Sequence, residues 1–245
     1  MTAYSAPRYL PAGESALVVE FGDSIDQAIH DLVLALDAAV GQAKWDGVIE
    51  TVPTYRSLMI HFDPRRLTTE TLVHNLVRLD TLATPIRRPA KCWRIPACYD
   101  PPYGEDLGEV AARLGLPQQQ IIDLHLGARY RVYMYGFAPG FTFLGGLPKE
   151  LLIPRRPSPR DPAPPGSLLI AAGQALITGC AMPTGWYGVG RTPLKVFDQS
   201  RDPVFLIGIG DEVRFERIDP LAFEALGSAA ASGDPVAQQI PLSEP

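Results

Sequence analysis

Three arginines lie in a proline- and glycine-rich part of the sequence, where the backbone has little freedom. Arg155 and Arg160 stand among prolines in PRRPSPRDPAPPG, and Arg191 lies in GVGRTP. A guanidinium group donates paired hydrogen bonds to carboxylate or phosphate oxygens, and a stiff backbone loses little freedom when it binds. The pattern predicts an anion site. The alternative is that these arginines pair with the nearby Asp161 and Glu150 and have only a structural role.

A second candidate is the segment GFAPGFTFLGGLP, residues 136–148, which mixes glycines and prolines with phenylalanines. Glycines permit backbone angles closed to other residues and leave their amides approachable, whereas prolines fix the turns. Phe137, Phe141 and Phe143 are expected to anchor the loop in a core. The pattern predicts a rigid loop whose backbone N–H groups stabilise oxyanions, and the alternative is a structural corner of a β-barrel.

Two single residues could also take part in chemistry. His125 follows a helical pattern and precedes a strand, so it could act as an acid, a base or a ligand, although a lone histidine is also typical of a capping or partly buried position. Trp186 is expected either to stack on a ligand or to close one end of a barrel. The cysteines form no C-x-x-C pair, so we predict neither a disulfide framework nor a metal site.

Composition and motifs exclude several classes of protein. The 245 residues carry a formal net charge of -5, which gives no basic surface for nucleic acid. The sequence has neither an apolar run long enough to span a membrane nor the pattern of a signal peptide. It also lacks the P-loop, H-E-x-x-H and G-x-S-x-G motifs. We therefore expect a cytoplasmic globular protein that binds neither nucleic acid nor membrane.

The elements that must position the candidate residues fall into two groups. In the first group, ALVVEFG predicts a strand, IDQAIHDLVLALDAAV a helix, GVIETVP and RSLMIHFDP a hairpin, ETLVHNLVRLDTL a second helix and CWRIPACY a strand. The order βαββαβ is that of a ferredoxin-like split βαβ fold. In the second group, two short helices precede several short strands, which is typical of an all-β barrel or sandwich. The end of the chain, residues 228–245, is small and polar and is expected to be a flexible tail.

Three blocks of the sequence carry a resemblance to a known family. They are YRVYMYGFAPGFTFLGGLP, PRRPSPRDPAPPGSLLIAAGQALITG and PTGWYGVGRTPLKVFD. In this order they resemble the signatures of the KipI/PxpB family, also called allophanate hydrolase subunit 1, and the upstream elements extend the resemblance over nearly the whole chain. It implies an α+β protein with a ferredoxin-like domain at residues 1–88 and a cyclophilin-like β-barrel domain at residues 89–227.

The resemblance also implies an activity that depends on partners. It implies a subunit of a bacterial ATP-dependent 5-oxoprolinase, which converts the small molecule 5-oxoproline to glutamate together with a KipA/PxpC-like subunit and a PxpA-like subunit. ATP would be a cosubstrate of the complex, and the chain would be inactive alone. Two alternatives stay open, namely a KipI-like inhibitor of a histidine kinase and one half of an allophanate or urea-carboxylase-type carboxyltransferase.

Site residues are carried over by their match to the motifs of the family. Arg191, with Arg155 and Arg160, would hold an anionic group, and His125 would transfer protons. The substrate-binding positions implied in this way are Gly136, Phe137, Pro139, Gly140, Phe141, Gly145, Gly146, Arg155, Arg160, Gln174, Trp186 and Thr192.

Overall fold

A computed structural model describes residues 3–79 and 90–241 of the chain. The chain separates into two compact units, residues 1–89 and 90–245. This division lies one residue from the predicted domain boundary, which itself falls on residues outside the described part of the chain.

The first unit is a four-stranded sheet with two helices. Its elements are β1 (Ala3–Pro11), β2 (Ala16–Gly22), α1 (Gln27–Ala43), β3 (Val48–Pro53), β4 (Ser57–Phe62) and α2 (Thr69–Arg78). The sheet is antiparallel in the order β1-β2-β4-β3. Alternate strand residues such as Leu17, Val19 and Ile60 are buried in one core with Val33 of α1 and Leu72 of α2. The predicted hairpin and both predicted helices are confirmed.

The predicted strand order of this unit is wrong in one place. The sequence CWRIPACY was expected to supply its last strand, but β5 (Cys92–Ala97) belongs to the sheet of the second unit, where it pairs in parallel with the strand at Glu212–Arg217. The missing edge is filled by β1, which precedes the other elements in the chain, so the observed order is ββαββα. Most β1 residues are exposed and two are prolines, and an edge strand tolerates both features while hiding the alternation that reveals a strand.

The second unit contains most of the candidate site. After β5 come α3 (Leu107–Leu114), α4 (Gln118–Gly127), β6 (Tyr130–Tyr135), β7 (Thr142–Gly145), a 3-10 turn (Lys149–Leu151), β8 (Arg160–Ala163), β9 (Ser167–Ala171), β10 (Gln174–Ile177), β11 (Met182–Thr184), β12 (Tyr187–Arg191), β13 (Glu212–Arg217), α5 (Pro220–Ala231) and β14 (Gln238–Ile240). Eight strands form one sheet in the order β12-β9-β10-β7-β6-β13-β5-β14, and β8 pairs with β11 in a second small sheet. The two helices predicted around Gly115 and Pro117 are confirmed.

The large sheet is curled, but its described strands do not form a closed barrel. β12 and β14 are its edges. Cys98, just after β5, exchanges two backbone hydrogen bonds of 2.8 Å with Arg191 at the end of β12, so one short bridge connects distant parts of the strand order. One face of the sheet packs on the main core through residues such as Ile170 and Leu144, and the other face carries a smaller cluster with Phe141 and Trp186.

The flexible tail expected at residues 228–245 is not seen. α5 continues to Ala231, and β14 pairs with β5 as an edge strand. Val236 and Ala237 are buried in the main core, because the chain uses the free hydrogen-bonding edge of β5 to cover it. Residues 242–245 lie outside the described part of the chain.

Candidate functional site

Two of the predicted arginines converge on one carboxylate. Arg160, at the start of β8, and Arg191, at the end of β12, each donate a hydrogen bond from Nη2 to Glu105. Arg191 contacts Oε1 at 2.9 Å and Arg160 contacts Oε2, so that each oxygen is held by a different arginine. The prediction that these arginines lie where they can bind an anion therefore has a geometric basis, although the anion in the structure is a side chain of the same molecule.

Asp106 connects this pair of arginines to the rest of the unit. Its Oδ2 accepts from the Gly188 backbone N–H and from Arg160 Nη1, both at 2.7 Å, and its Oδ1 accepts from Arg156 Nη2 at 2.9 Å. The Asp106 N–H donates in turn to the Gly188 carbonyl at 2.9 Å, so this residue pairs with the open edge of β12 as a neighbouring strand would. Asp106 is 8% exposed. It thus fixes both Arg160 and Arg156 from inside the protein.

Arg156 completes the network beside its neighbour in sequence. It also contacts Glu109 at 2.7 Å, and its guanidinium lies 4.3 Å from the ring centroid of Tyr187. The hydrogen bonds from Arg156 and Arg113 lower the pKa of the Glu109 carboxyl. Hydrogen bonds to Asp106 and Glu105 raise the pKa of Arg160 against the opposing effect of burial. The network consists of charged groups held in their ionised forms.

The acidic partners of the arginines are not the predicted ones. We expected Asp161 and Glu150 as partners in the structural alternative, but Glu105, Asp106 and Glu109 fill that role. All three belong to the GEDLGE segment at the start of α3. Acidic residues at a helix start ordinarily indicate capping, yet the Asp106 side chain makes no capping hydrogen bond. That ordinary reading concealed the best signal for the network.

Arg155 does not join this cluster in the structure. Its guanidinium lies 5.5 Å from the ring centroid of Trp186, which is buried with Phe141 on the outer face of the large sheet. Trp186 also meets Phe143 edge-on, at 6.1 Å between ring centroids. Of the two roles expected for Trp186, this position corresponds to packing rather than to stacking on a ligand.

The glycine-rich loop divides into two separate ends. β7 runs through its middle, so Gly136 and Gly140 lie before the strand, and Gly145 and Gly146 lie at its end. Because β7 pairs with β10 and then β9 and β12 follow, the Gly140 end and Arg191 lie at the same edge of the sheet, roughly 15 Å apart at about 4.8 Å per strand. Gly145 and Gln174 lie at the opposite edge. The loop is therefore not one cradle for a single ligand.

Close packing explains the glycines of this loop. Gly140 has a φ of +76°, and a Cβ there would lie 2.5 Å from the Cβ of Phe197. At Gly146, with a φ of +101°, a Cβ would lie 2.2 Å from the Arg129 carbonyl oxygen. Several amides are already engaged within the loop, since Ala138 donates to Gly136 at 2.8 Å and Phe141 to Ala138 at 3.1 Å. The loop is rigid, as predicted, and the donors named here are occupied by its own turns.

Phe137 behaves differently from the other two phenylalanines. Phe141 is 3% exposed, but Phe137 is 79% exposed and has a φ of +67°, which is strained for a bulky side chain. The prediction that Phe137 anchors the loop in a core is wrong. A rigid loop that presents a strained aromatic ring to solvent is typical of a contact site, because the strain persists only where the surroundings enforce it.

His125 lies in the main core. It is 1% exposed, its Nδ1 lies 2.8 Å from the Tyr99 hydroxyl, and its ring stacks on Phe215 at 4.9 Å between centroids. Burial lowers the pKa of His125 to about 3, so the imidazole is neutral. The predicted role in proton transfer is therefore corrected, because a side chain enclosed in this way does not reach a substrate.

Thr192 and Gln174 are also placed by backbone requirements. Thr192 is 2% exposed, its N–H donates to the Gly166 carbonyl at 2.8 Å, and its hydroxyl accepts from the Leu194 N–H at 3.2 Å. Gln174 opens β10 opposite Ala171. Neither residue reaches the arginine pair through any of these contacts.

Metal and membrane features were also sought in the part of the chain that the structure describes. Within residues 3–79 and 90–241, no group of three or more His, Cys, Asp or Glu residues could hold a metal ion. Over the same ranges, every helix is too short or too polar to cross a membrane.

Residues 7–207 match the family described as carboxyltransferase domain, subdomain C and D. Among relatives, a 5-oxoprolinase subunit from Bacillus subtilis is 35% identical over 224 residues, covering 87% of this chain and 93% of that protein. The protein of the same name from Escherichia coli O157:H7 is 33% identical over 204 residues, covering 83% of this chain and 92% of that one.

Solved structures resemble the chain as well. TTHA0988 has a TM-score of 0.74 and 36% identity over 83% of this chain, which spans 40% of that protein's length. Kluyveromyces lactis urea carboxylase has a TM-score of 0.76 at 17% identity, over 98% of this chain and 25% of that enzyme, which indicates a shared fold alone.

Proposed function

Since the chain belongs to the carboxyltransferase subdomain C and D family, we propose that it is a subunit of an ATP-dependent 5-oxoprolinase. The observation that carries this proposal is the 35% identity to the Bacillus subtilis 5-oxoprolinase protein over 93% of its length. The reaction opens the lactam of 5-oxoproline to glutamate. A lactam is a stabilised amide, so phosphorylation of its carbonyl oxygen by ATP is a reasonable way to drive an otherwise uphill opening.

The proposed enzyme needs partners, namely a KipA/PxpC-like subunit and a PxpA-like subunit. The chain matches only 40% of the length of TTHA0988, which supports the idea that a second polypeptide supplies what this chain lacks. The exposed ring of Phe137 is the contact residue that we assign to such a partner or to a ligand held between the two. On this proposal the chain is inactive alone, and the ATP site is not assigned to it.

Within the chain, the role of anion site falls to Arg160 and Arg191. Both guanidinium groups already hold the two oxygens of one carboxylate, which is the anionic group of 5-oxoproline. We infer that the end of the loop at residues 136–140 lines the same edge of the sheet and contributes backbone donors toward developing negative charge. Gly145, Gly146 and Gln174 are left out of this site, because they lie at the other edge.

The finer fold and the compartment belong to the same proposal. The order β1-β2-β4-β3 is that of a ferredoxin-like sheet in which β1 replaces the last strand, and the curled eight-stranded sheet supports kinship with a cyclophilin-like barrel. Cys92, Cys98 and Cys180 are free thiols, which supports a cytoplasmic location.

The test is glutamate release from 5-oxoproline by this chain assembled with its two partners, with ATP present or omitted. We expect ATP-dependent glutamate that disappears when this chain is left out. Arg191→Ala should reduce kcat/KM by at least about a hundredfold, since a charge-assisted contact to the substrate is worth about 3 kcal/mol. Arg217→Ala is the matched control, because Arg217 pairs with Asp100 at an exposed position.

Two outcomes would count against this function. An assembled, folded complex that releases no glutamate would contradict the activity. Unchanged kinetics in Arg191→Ala would remove that arginine from the substrate site while leaving the activity standing.

A further inference from the structure

The carboxylate of Glu105 occupies the place between Arg160 and Arg191 that an external carboxylate would take. One of its oxygens faces each guanidinium group, and the two arginines come from different strands, β8 and β12. The side chains are partly open to solvent, with 31% exposure for Glu105, 25% for Arg160 and 19% for Arg191. A small molecule can therefore approach this clamp, which we define as Arg160, Arg191 and the space between their Nη2 atoms.

The two arginines are held in place by groups other than Glu105. Arg160 remains fixed through Nη1 by the buried Asp106 at 2.7 Å. Arg191 is fixed by its backbone bonds to Cys98, and its guanidinium lies 5.6 Å from the ring centroid of Tyr103. Removal of the Glu105 carboxylate would therefore leave both cationic groups facing the same space. This is the preorganisation that carboxylate binding requires.

The Arg191 side chain also has an unused donor. Its Nε is buried and has no hydrogen-bond partner among the described residues, and the same holds for Arg156 Nε. A buried donor without a partner is costly, and native structures generally retain one only where another group completes it. Arg191 has already given one Nη2 hydrogen bond to Glu105, so a ligand that approached the guanidinium from its Nε side would gain a second, parallel one.

Glu105 is the member of the network that can leave most easily. It lies in the turn that precedes α3, and it is more exposed than either arginine of the clamp. Ion pairs at such partly exposed positions are weak, because water solvates the separated charges well. Opening the clamp thus requires movement of one side chain and no rearrangement of a strand.

We propose that Glu105 is an internal, autoinhibitory occupant of the clamp, and that a small carboxylate ligand binds by displacing it. The choice of 5-oxoproline as that ligand rests on the proposed function, whereas the clamp itself rests on the geometry. Because the clamp is free for only part of the time, the observed affinity is the intrinsic affinity reduced by that fraction. Removing the Glu105 charge should therefore tighten binding of the carboxylate.

The experiment is calorimetric titration of the full chain with L-5-oxoproline, and with two fragments of it. Acetate carries only the carboxylate, and 2-pyrrolidinone carries only the lactam. We expect Glu105→Gln to bind 5-oxoproline and acetate about tenfold more tightly than the unaltered chain, and to leave 2-pyrrolidinone binding unchanged. Glu109→Gln is the matched control, since it removes the same charge from the same helix but contacts Arg156 and Arg113 instead of the clamp.

Two results would overturn the clamp. One is an affinity for acetate in Glu105→Gln that is no higher than in the unaltered chain. The other is retention of the gain when Arg191→Ala is added to Glu105→Gln, since the gain must depend on the arginine. Circular dichroism of each variant verifies the fold.

Failure of the clamp and failure of the proposed function can be told apart. If the assembled complex releases no glutamate but Glu105→Gln binds acetate more tightly, the clamp stands and the substrate is another carboxylate. If the complex releases glutamate and Glu105→Gln changes neither acetate affinity nor the KM for 5-oxoproline, the clamp is wrong and the activity stands.

Discussion

Replacing Asp106 with alanine should destabilise the second unit by about 3–5 kcal/mol. The change removes three hydrogen bonds, and two of them come from arginines whose side chains are only 15% and 25% exposed. Each lost bond costs about 1 kcal/mol net, and the Gly188 N–H, left buried without its partner, adds about 1–3 kcal/mol. Loss of a buried charge from an ion-pair network alone costs about 3–5 kcal/mol, so the two routes to the magnitude agree.

Urea unfolding followed by circular dichroism would measure this loss, provided that the transition of the second unit is fitted separately. Asp106→Asn should lose less than Asp106→Ala, because its amide oxygen still accepts from Gly188. Glu105→Ala is the comparison for an exposed member of the same network and should cost under about 1 kcal/mol. A loss below about 1 kcal/mol in Asp106→Ala would refute our view that Asp106 holds β12 and the arginines together.

Three further predictions concern His125, Gly140 and Phe137. Because the folded state holds His125 neutral down to a pKa of about 3 while the unfolded chain protonates near 6.5, stability should fall as the pH drops between these values. Between pH 7 and pH 5 this effect approaches about 2 kcal/mol, and His125→Phe should remove it from the pH dependence of urea unfolding. Gly140→Ala should lose at least about 2 kcal/mol through its left-handed φ and the clash with Phe197, whereas Gly227→Ala in α5, with open space around it, should be neutral or gain up to about 1 kcal/mol; equal melting temperatures would contradict this contrast. Phe137→Ala should change the stability of the chain by less than about 1 kcal/mol and weaken co-purification with the partner subunits, whereas Phe141→Ala should cost about 3–4 kcal/mol, and a large stability loss at Phe137 would mean that its ring is packed after all.

Much of the fold could be predicted from local signals. The helical stripes of α1 and α2 and the β-rich hairpin at β3 and β4 are visible because their apolar period matches the element. The assignment of β5 to a sheet could not be made in this way. Its residues indicate a strand in either unit, and only pairing with β13, more than a hundred residues later, decides which sheet it joins. The same holds for β14, whose strand exists because the edge of β5 is free.

The candidate site shows a similar division. Arg160 and Arg191 could be chosen because stiff, proline-rich surroundings favour arginines that bind anions, and the structure does bring these two to one carboxylate. Arg155 satisfied the same criterion and lies instead against Trp186. Residues one position apart in a turn can point in unrelated directions, and the sequence alone does not say which of Arg155 and Arg156 faces the network.

The acidic residues are the part that spacing could not disclose, and they change what the arginines mean. An arginine cluster without partners would be an open anion site, whereas this cluster is neutralised by carboxylates of two kinds. Asp106 is buried and orients the guanidinium groups, and Glu105 is exposed and fills the space that they define. Removal of Asp106 should therefore cost stability, and removal of Glu105 should improve ligand affinity at little cost in stability. Opposite effects from adjacent acidic residues would show that one carboxylate builds the site and the other competes for it.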